Sequence, residues 1–202
     1  FTAITGENKL IPVVKANAYG HGLEEVYKAL DPEKPAWLAV AYLGEAKRLR
    51  DLGYGGRILL VTPLYGDDLS EAAQLKTEVF IGDQRALDQW CKANRKPPCH
   101  VKFDTGLSRQ GFFPDEAAGV VTALATHRDL VAGICTHFAN VEDVLEHEFA
   151  TLQMSRFAAA VQTFSDHGLK PLKHCASSAS CLLLPQSRLD LSRVGISMYG
   201  LW

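Results

Sequence analysis

Long hydrophobic runs are missing from this sequence of 202 residues. The longest apolar stretches, such as 58–61 and 182–184, are far shorter than the ~20 residues that a membrane-spanning helix needs. The chain begins at Phe1 without the basic and then apolar opening of a signal peptide, so we expect such a peptide to be absent or removed. An excess of one charge is missing too, because 21 basic residues face 23 acidic ones. A nucleic acid or an anionic membrane is therefore not an expected partner, and a small molecule is.

Cysteine is sparse and shows no pairing pattern. The five cysteines, at positions 91, 99, 135, 175 and 181, are odd in number and include no Cys-x-x-Cys pair. We therefore expect reduced thiols and a cytoplasmic location rather than a disulfide framework. A zinc site can be drawn from His137, His174, Cys175 and Cys181, but their spacing matches no zinc-ligand pattern, and we predict no metal.

Short apolar runs rich in β-branched residues alternate with longer stretches of helical period, which is typical of βαβ units and a parallel sheet. The eight predicted strands cover residues 10–14, 37–41, 58–61, 78–81, 100–103, 131–136, 171–174 and 191–196. The seven predicted helices lie near residues 22–30, 43–52, 68–76, 83–94, 115–127, 146–167 and 178–184. Each connection is long enough for a right-handed crossover, so the count predicts an α/β fold, a (β/α)8 TIM barrel.

The predicted barrel is one domain over residues 1–202, because 47% hydrophobic residues can bury a sizeable core. The sequence opens almost directly on the first predicted strand and stops six residues after the last. We therefore expect a barrel truncated at both ends, whose uncovered apolar strands need a helix from a longer parent.

The first predicted strand leads into Lys15, within Val-Val-Lys-Ala-Asn-Ala-Tyr-Gly-His-Gly (13–22). Barrel active sites lie at the C-terminal ends of strands, and a lysine buried there tends to lose its proton, the form that makes a Schiff base. A solvent-exposed lysine is the alternative for the lysine alone. The ten-residue segment resembles the cofactor-attachment motif of alanine racemases. The resemblance implies that Lys15 carries pyridoxal 5'-phosphate (PLP) and is one of two bases at Cα, and that Tyr19 contacts the phosphate.

The fifth predicted strand leads into a second motif, His-Val-Lys-Phe-Asp-Thr-Gly-Leu-Ser-Arg-Gln-Gly (100–111). His100, Lys102 and Asp104 should share one face of the strand, where a salt-bridged network is one explanation for them. The segment resembles the racemase pattern Lys-x-Asp-[Ser/Thr]-Gly-Met-x-Arg-x-Gly. The resemblance implies that Arg109 contacts the phenolic oxygen of the cofactor and that Lys102 matches a lysine carbamylated in some members.

That pattern is not matched throughout. Leu107 and Gln110 stand where the family has Met and an aliphatic residue. These departures weaken the carbamate assignment of Lys102 more than they weaken the role of Arg109.

Two further predicted strand ends fit the same resemblance. Thr-His-Phe-Ala (136–139) implies that His137 lies against a face of the pyridine ring. His-Cys-Ala-Ser-Ser-Ala (174–179) opens a predicted helix whose first N–H groups could hold a phosphate, although serine as a helix cap explains the same residues. By resemblance, Ser178 contacts the phosphate and His174 supports Arg193.

The last predicted strand carries Arg-Val-Gly-Ile-Ser-Met-Tyr-Gly (193–200), which resembles Arg-x-Gly-Ile-x-x-Tyr-Gly of the family. The resemblance implies that Arg193 faces the pyridine nitrogen and that Gly195 and Ile196 offer backbone N–H groups to the phosphate. Since an arginine stays protonated, the ring nitrogen would stay unprotonated and the ring would be a weaker electron sink.

The resemblance implies an isomerase, an alanine racemase that interconverts L-alanine and D-alanine for peptidoglycan synthesis. In that family the second base is a tyrosine in a C-terminal β domain, contributed by the opposite subunit of a homodimer. We therefore expect this chain alone to bind PLP and to racemise poorly. The alternatives are a broad-specificity amino-acid racemase, a single-domain PLP-binding protein without activity, and a barrel enzyme that uses Lys15 without PLP.

Overall fold

The computed structural model describes residues 1–6, 9–142 and 147–201. Within these ranges, short parallel strands alternate with helices along the chain. The strands are β1 (Leu10–Pro12), β2 (Trp37–Val40), β3 (Arg57–Pro63), β4 (Thr77–Ile81), β5 (Cys99–Lys102), β6 (Val131–Cys135), β7 (Leu172–His174) and β8 (Ser192–Val194). The helices are α1 (Thr2–Thr5), α2 (Lys15–Tyr19), α3 (Leu23–Leu30), α4 (Leu43–Asp51), α5 (Asp68–Gln74), α6 (Gln84–Lys92), α7 (Ala117–Ala123), α8 (Glu148–Asp166) and α9 (Ser178–Leu183).

The strands form an α/β fold around a curled parallel sheet. Six of them, β2 to β7, pair in chain order, and β1 pairs with β8 in parallel. Two single bridges lie between these sheets, one from Val13 to Ala39 and one from Ala176 to Ser192. The carboxyl ends of all the parallel strands therefore meet at one edge, where the predicted site residues lie.

Alternating side chains divide the core into an outer and an inner layer. On β3, Ile58 and Leu60 belong to the large cluster between sheet and helices, whereas Leu59 belongs to a smaller inner cluster with Ile11 and Phe80. This alternation follows from the two-residue period of a strand. The inner layer also holds polar side chains, which are described below.

Each predicted strand contains observed strand residues, but several boundaries differ. β1 ends at Pro12 instead of residue 14, because Val13 makes a single bridge and the chain then turns. The helix predicted at 115–127 becomes a 3-10 turn, Pro114–Glu116, followed by α7. The predicted start at residue 146 lies outside the described residues. The sequence prediction missed α1 and α2 altogether.

No helix in the described parts of the chain has the length and apolar character that crossing a membrane requires.

Candidate active site

A cavity of about 750 Å³ lies at the carboxyl ends of the strands. This volume is within the range of small-molecule and cofactor sites. The structure brings nine of the ten predicted site residues to its wall. They are Lys15, Tyr19, Lys102, Arg109, His137, Ser178, Arg193, Gly195 and Ile196. The tenth, His174, is fully buried and bonds to Arg193.

Lys15 begins a turn of left-handed backbone, here called the lysine turn (α2, Lys15–Tyr19). The φ angles of Ala16, Asn17 and Ala18 are 53°, 54° and 54°, and that of Tyr19 is 55°. For residues other than glycine, this conformation costs about 1–2 kcal/mol each. Neither alanine nor tyrosine favours it, so tertiary contacts must hold the turn in place.

The carboxylate of Glu45, in the first turn of α4, supplies the main tertiary contact. Its Oε1 accepts the N–H of Asn17 at 2.9 Å, and its Oε2 accepts the N–H of Ala41 at 2.8 Å and of Tyr42 at 3.3 Å. Within the turn, the side chain of Asn17 accepts the N–H of Leu23 at 2.8 Å. One helix-capping carboxylate therefore fastens the lysine turn to the end of β2.

The amine of Lys15 lies in surroundings that favour its neutral form. Burial lowers the pKa of Lys15, the nearby charge of Arg109 lowers it further, and Glu45 partly opposes both. The Lys15 Nζ atom lies 5.9 Å from the ring centre of Tyr19. A half-buried amine with a lowered pKa is a nucleophile and a proton acceptor.

Small and hydroxylated groups gather at one end of the cavity. The Oγ of Ser178 accepts the N–H of Gly195 at 3.0 Å and that of Ser197 at 3.4 Å. A Cβ at Gly195 would overlap the hydroxyl of Tyr19, so only glycine allows this approach. Ile196 begins the 3-10 turn that follows. Hydroxyls and backbone N–H groups in a concave corner suit an anion.

Arg193 forms the wall at the end of β8. Its Nη1 donates to the ring Nδ1 of His174 and, at 3.1 Å, to the carbonyl oxygen of the same residue. Its Nη2 donates to the carbonyl oxygen of Thr136 at 2.7 Å and lies 3.3 Å from Nδ1 of His137. With a fifth contact, from Nη2 to the carbonyl oxygen of Cys175 at 3.5 Å, the guanidinium of this residue, which is only 7% exposed, is held in place.

The backbone around His137 is held by Gln153, a residue that the sequence did not single out. The Nε2 of Gln153, on α8, donates to the carbonyl oxygen of His137 at 3.3 Å, and its Oε1 accepts the N–H of Ala139 at 3.0 Å. Burial and then the charge of Arg193 lower the pKa of His137 well below its ordinary value. His137 is therefore a neutral ring on a fixed loop.

The three ionisable residues of β5 and its loop make separate contacts instead of one salt-bridged network. His100 bonds to Glu78 at 2.7 Å. Asp104 accepts three backbone N–H groups of its own loop, including that of Arg109 at 2.9 Å, and so shapes the segment that carries Arg109. Lys102 donates to the carbonyl oxygen of Gln110 at 2.7 Å, and burial lowers its pKa to about 8.

With this geometry established, comparisons with known proteins decide the family. A family model for the N-terminal domain of alanine racemase matches residues 2–202. The chain belongs to the alanine racemase family. Alanine racemase 1 of Oceanobacillus iheyensis is 31% identical to it over 202 residues, which cover 97% of this chain and 54% of that protein.

Solved alanine racemase structures share the fold. The enzyme from a D-cycloserine-producing Streptomyces lavendulae superposes with a TM-score of 0.88 at 32% identity, over 100% of this chain and 55% of that one. The alanine racemase of Clostridium difficile 630 in complex with cycloserine gives a TM-score of 0.86 at 30% identity, over 98% and 56%. The chain spans about half the length of the alanine racemases it matches.

Sequence reasoning missed Glu45 and Gln153, and it used Glu78 only as the start of a strand. A charge in the apolar run 78–81 was a usable signal for Glu78. Glu45 and Gln153 lie in ordinary helical sequence, where a polar residue is unremarkable.

Proposed function

We propose that this chain binds PLP covalently at Lys15 and provides the cofactor-binding half of an alanine racemase that interconverts L-alanine and D-alanine, as needed for peptidoglycan. The observation that carries the proposal is the placement of Lys15, whose lowered pKa favours a neutral amine, in one cavity with Arg109, His137 and Arg193. Schiff-base formation requires an amine of this kind.

The residues present suit PLP, which joins an aldehyde, a phosphate, a phenolic oxygen and a ring nitrogen. We assign the phosphate to the corner of Tyr19, Ser178, Gly195 and Ile196, where a Cβ at Gly195 has no room. The phenolic oxygen is assigned to Arg109, the ring nitrogen to Arg193 and one ring face to His137. These assignments match each group with donors or a flat neutral ring already in place.

Bound PLP supplies an electron sink that makes the Cα–H bond of an amino acid acidic. On one side of Cα, the Nζ atom of Lys15 takes up a proton in one direction of the reaction and delivers one to the same face in the other direction. Arg193 presents only N–H donors, so it keeps a hydrogen-bond donor against the ring and accepts no proton itself. Racemisation also needs a base on the other side of Cα. We propose that it is a tyrosine of a C-terminal β domain, contributed by the second subunit of a homodimer.

We further propose that Lys102 is carbamylated in the holoenzyme. Lys102 is only 3% exposed, and the positive charges of Arg109 and Arg193 act on its amine. The neutral amine would add to the carbon of CO2 and release one proton, which leaves an anion beside Arg109. Intact-mass measurement in bicarbonate buffer should show one CO2 added, and Lys102→Met should abolish the addition.

We infer that β1 and β8 close the sheet into a (β/α)8 barrel that occupies residues 1–202, since a single bridge lies at each junction. We also propose a cytoplasmic location, which the free state of all five cysteines supports.

The alternatives differ in substrate or in activity. A broad-specificity racemase would share the PLP-binding residues, and a single-domain PLP carrier would share Lys15 without the Ala-Asn-Ala-Tyr-Gly-His-Gly continuation (16–22). The structure supports the racemase over the carrier because Arg109, Arg193 and His137 surround the space beside Lys15. Rates of Cα deuterium exchange for alanine and for a larger amino acid separate an alanine racemase from a broad-specificity racemase.

The decisive test of cofactor binding uses the chain itself. PLP is added to wild type, Lys15→Ala and Lys170→Ala, and absorbance spectra are recorded before and after borohydride. We expect a long-wavelength band that borohydride removes as it fixes PLP on Lys15. Both the band and the fixed PLP should be lost in Lys15→Ala and kept in Lys170→Ala, which changes an exposed lysine. A folded wild-type chain without a Lys15-dependent adduct would contradict the proposal.

A further inference from the structure

A chain of buried polar side chains crosses the interior of the curled sheet and ends at Arg193. The Nε2 of His100 lies 2.7 Å from Oε2 of Glu78, and its Nδ1 lies 2.7 Å from Nε2 of His174. The Nδ1 of His174 bonds in turn to Arg193. At the far end, Arg57 pairs with both carboxylate oxygens of Glu78 at 2.5 and 2.9 Å. We call Glu78, His100 and His174 the relay.

The donor at one end of the relay decides where its protons lie. A guanidinium has only N–H donors, so Nδ1 of His174 must accept from Arg193. The proton of a neutral His174 is then on Nε2, and it is donated to Nδ1 of His100. By the same rule, the proton of His100 is on Nε2 and is donated to Glu78.

The acceptor at the other end demands the same arrangement. An ionised Glu78 only accepts hydrogen bonds, so Nε2 of His100 must carry a proton. A doubly protonated His100 would force Nε2 of His174 to accept, which would put the proton of His174 against Arg193. The two ends therefore agree on one direction for every hydrogen bond.

Burial and charge are consistent with neutral rings between two ions. His100 and His174 are both fully buried. Burial lowers the pKa of His100 although Glu78 opposes it, and burial together with Arg193 lowers that of His174 well below the ordinary value. Burial alone would raise the pKa of Glu78, but hydrogen bonds from His100 and Arg57 outweigh it.

The sheet leaves room for this arrangement at one glycine. A Cβ on Gly133 of β6 would overlap the ring of His100, which lies between β4, β6 and β7. Trp37 also packs against this ring and meets it edge-on, with the ring centroids 5.9 Å apart. The position of the His100 ring is thus fixed by packing as well as by its two hydrogen bonds.

We infer that Glu78 and His100 are positioning residues for Arg193, and that Glu78, acting through His100, works together with Arg193 to favour the tautomer of His174 whose Nδ1 faces Arg193 as an acceptor. Neither Glu78 nor His100 lines the cavity. The purpose assigned to this arrangement, a fixed donor against the ring nitrogen of PLP, rests on the proposed function. The tautomers themselves do not depend on it.

The test reads the tautomers directly in the chain without PLP. The protein is labelled with 15N-histidine, and long-range 15N–1H spectra are recorded for wild type, Glu78→Gln and Arg57→Gln. Signals are assigned by their loss in His100→Gln and His174→Gln. We expect both wild-type rings to carry the proton on Nε2 only. A wild-type His174 protonated on Nδ1 would overturn the inference without any further variant.

The two variants separate a directional role from simple packing. In Glu78→Gln, the new side-chain amide accepts from Arg57 through its oxygen and donates to His100 through its nitrogen. The Nε2–H population of His174 should therefore fall at least about twofold. Arg57→Gln disturbs the same carboxylate, and at a pH well above the pKa of Glu78 in that variant the carboxylate is ionised and the tautomers should stay unchanged. Unchanged tautomers in Glu78→Gln, or the same change in Arg57→Gln, would overturn the inference.

The adduct with Lys15 tests the proposed function separately. A Lys15-dependent adduct without the expected tautomers refutes the relay and leaves PLP binding intact. The expected tautomers without an adduct confirm the relay as a structural feature and refute its assigned purpose.

Discussion

The two sides of the cavity hold their reactive groups by different means. On the β1 side, Lys15 leads into left-handed backbone, which the N–H of Asn17 fastens to the half-exposed carboxylate of Glu45. On the β8 side, Arg193 lies on ordinary strand backbone, and buried backbone carbonyls and imidazole rings hold its guanidinium. The position of Lys15 therefore depends on a strained main chain, whereas that of Arg193 depends on a buried network of hydrogen bonds.

This difference separates two requirements of the proposed chemistry. Lys15 must move between a bond to PLP and a proton on Cα, so a short, half-exposed segment suits it. Arg193 has to stay in one place with one set of donors, and a buried network limits its motion. The effects of substitutions on stability and on PLP binding should therefore differ between the two sides.

The largest effect should come from filling the space that the relay uses. Gly133→Ala would drive a Cβ into the fully buried ring of His100, and we expect the free energy of unfolding to fall by about 3 kcal/mol. Gly119→Ala, at an exposed position of α7 with nothing within 4 Å of its Cβ, should raise it by up to about 1 kcal/mol. Urea denaturation measures the free energy of unfolding of both variants. The same change in Gly133→Ala as in Gly119→Ala would argue against tight packing at His100.

A pH dependence of similar size should come from Lys102, which lines the cavity. Its pKa is about 8 in the folded chain and about 10.4 when unfolded, so the unfolded chain binds more protons between these values. The penalty for burying the ammonium is complete below pH 8 and is relieved as the pH rises towards 10.4. In CO2-free buffer, wild type should gain up to about 3 kcal/mol relative to Lys102→Met. A constant difference would show that Lys102 is not buried as a cation.

On the other side of the cavity, Glu45→Ala should have an intermediate effect. It removes the acceptor of three backbone N–H groups, which corresponds to losing a helix cap and costs about 1–2 kcal/mol. The same variant should weaken PLP binding through the lysine turn. Glu71→Ala, an exposed acidic residue in the first turn of α5, is the matched control and should change stability by less than about 0.5 kcal/mol. Denaturation and PLP titration check both variants.

The smallest predicted effect has an unusual sign. Ala16→Gly relieves left-handed strain at an exposed residue and should stabilise the chain by about 1 kcal/mol. Ala158→Gly, exposed in the middle of the right-handed helix α8, should destabilise it by about the same amount. If both glycines destabilise, the lysine turn is not strained in the way its backbone angles indicate.

The sequence was sufficient for features that repeat or that lie in long specific motifs. The alternation of strands and helices is a periodic signal, and the run 13–22 alone indicated the family. Strand ends were less predictable. Pro12 closes β1 because the chain turns after it, and nothing in Val13 or Val14 announces that turn.

The lysine turn and its support could not be read from the sequence. Two alanines favour a right-handed helix, so local propensity points away from the observed backbone, and tertiary contacts decide it. Glu45 reaches Asn17 across 28 positions of sequence, a distance that no local pattern records. The sequence indicated the relay in part, since a histidine and a glutamate in apolar strands are unusual. The direction of its hydrogen bonds follows only from which atoms meet in the structure.

The hand of the lysine turn has a stereochemical consequence. A backbone with φ near +54° over three successive residues is the conformation that D-amino acids adopt without strain. A semisynthetic chain with D-alanine at position 16 should therefore keep Lys15 in place at lower conformational cost. The protein proposed to interconvert the two hands of alanine presents its reactive amine from a stretch of L-residues folded in the mirror-image sense.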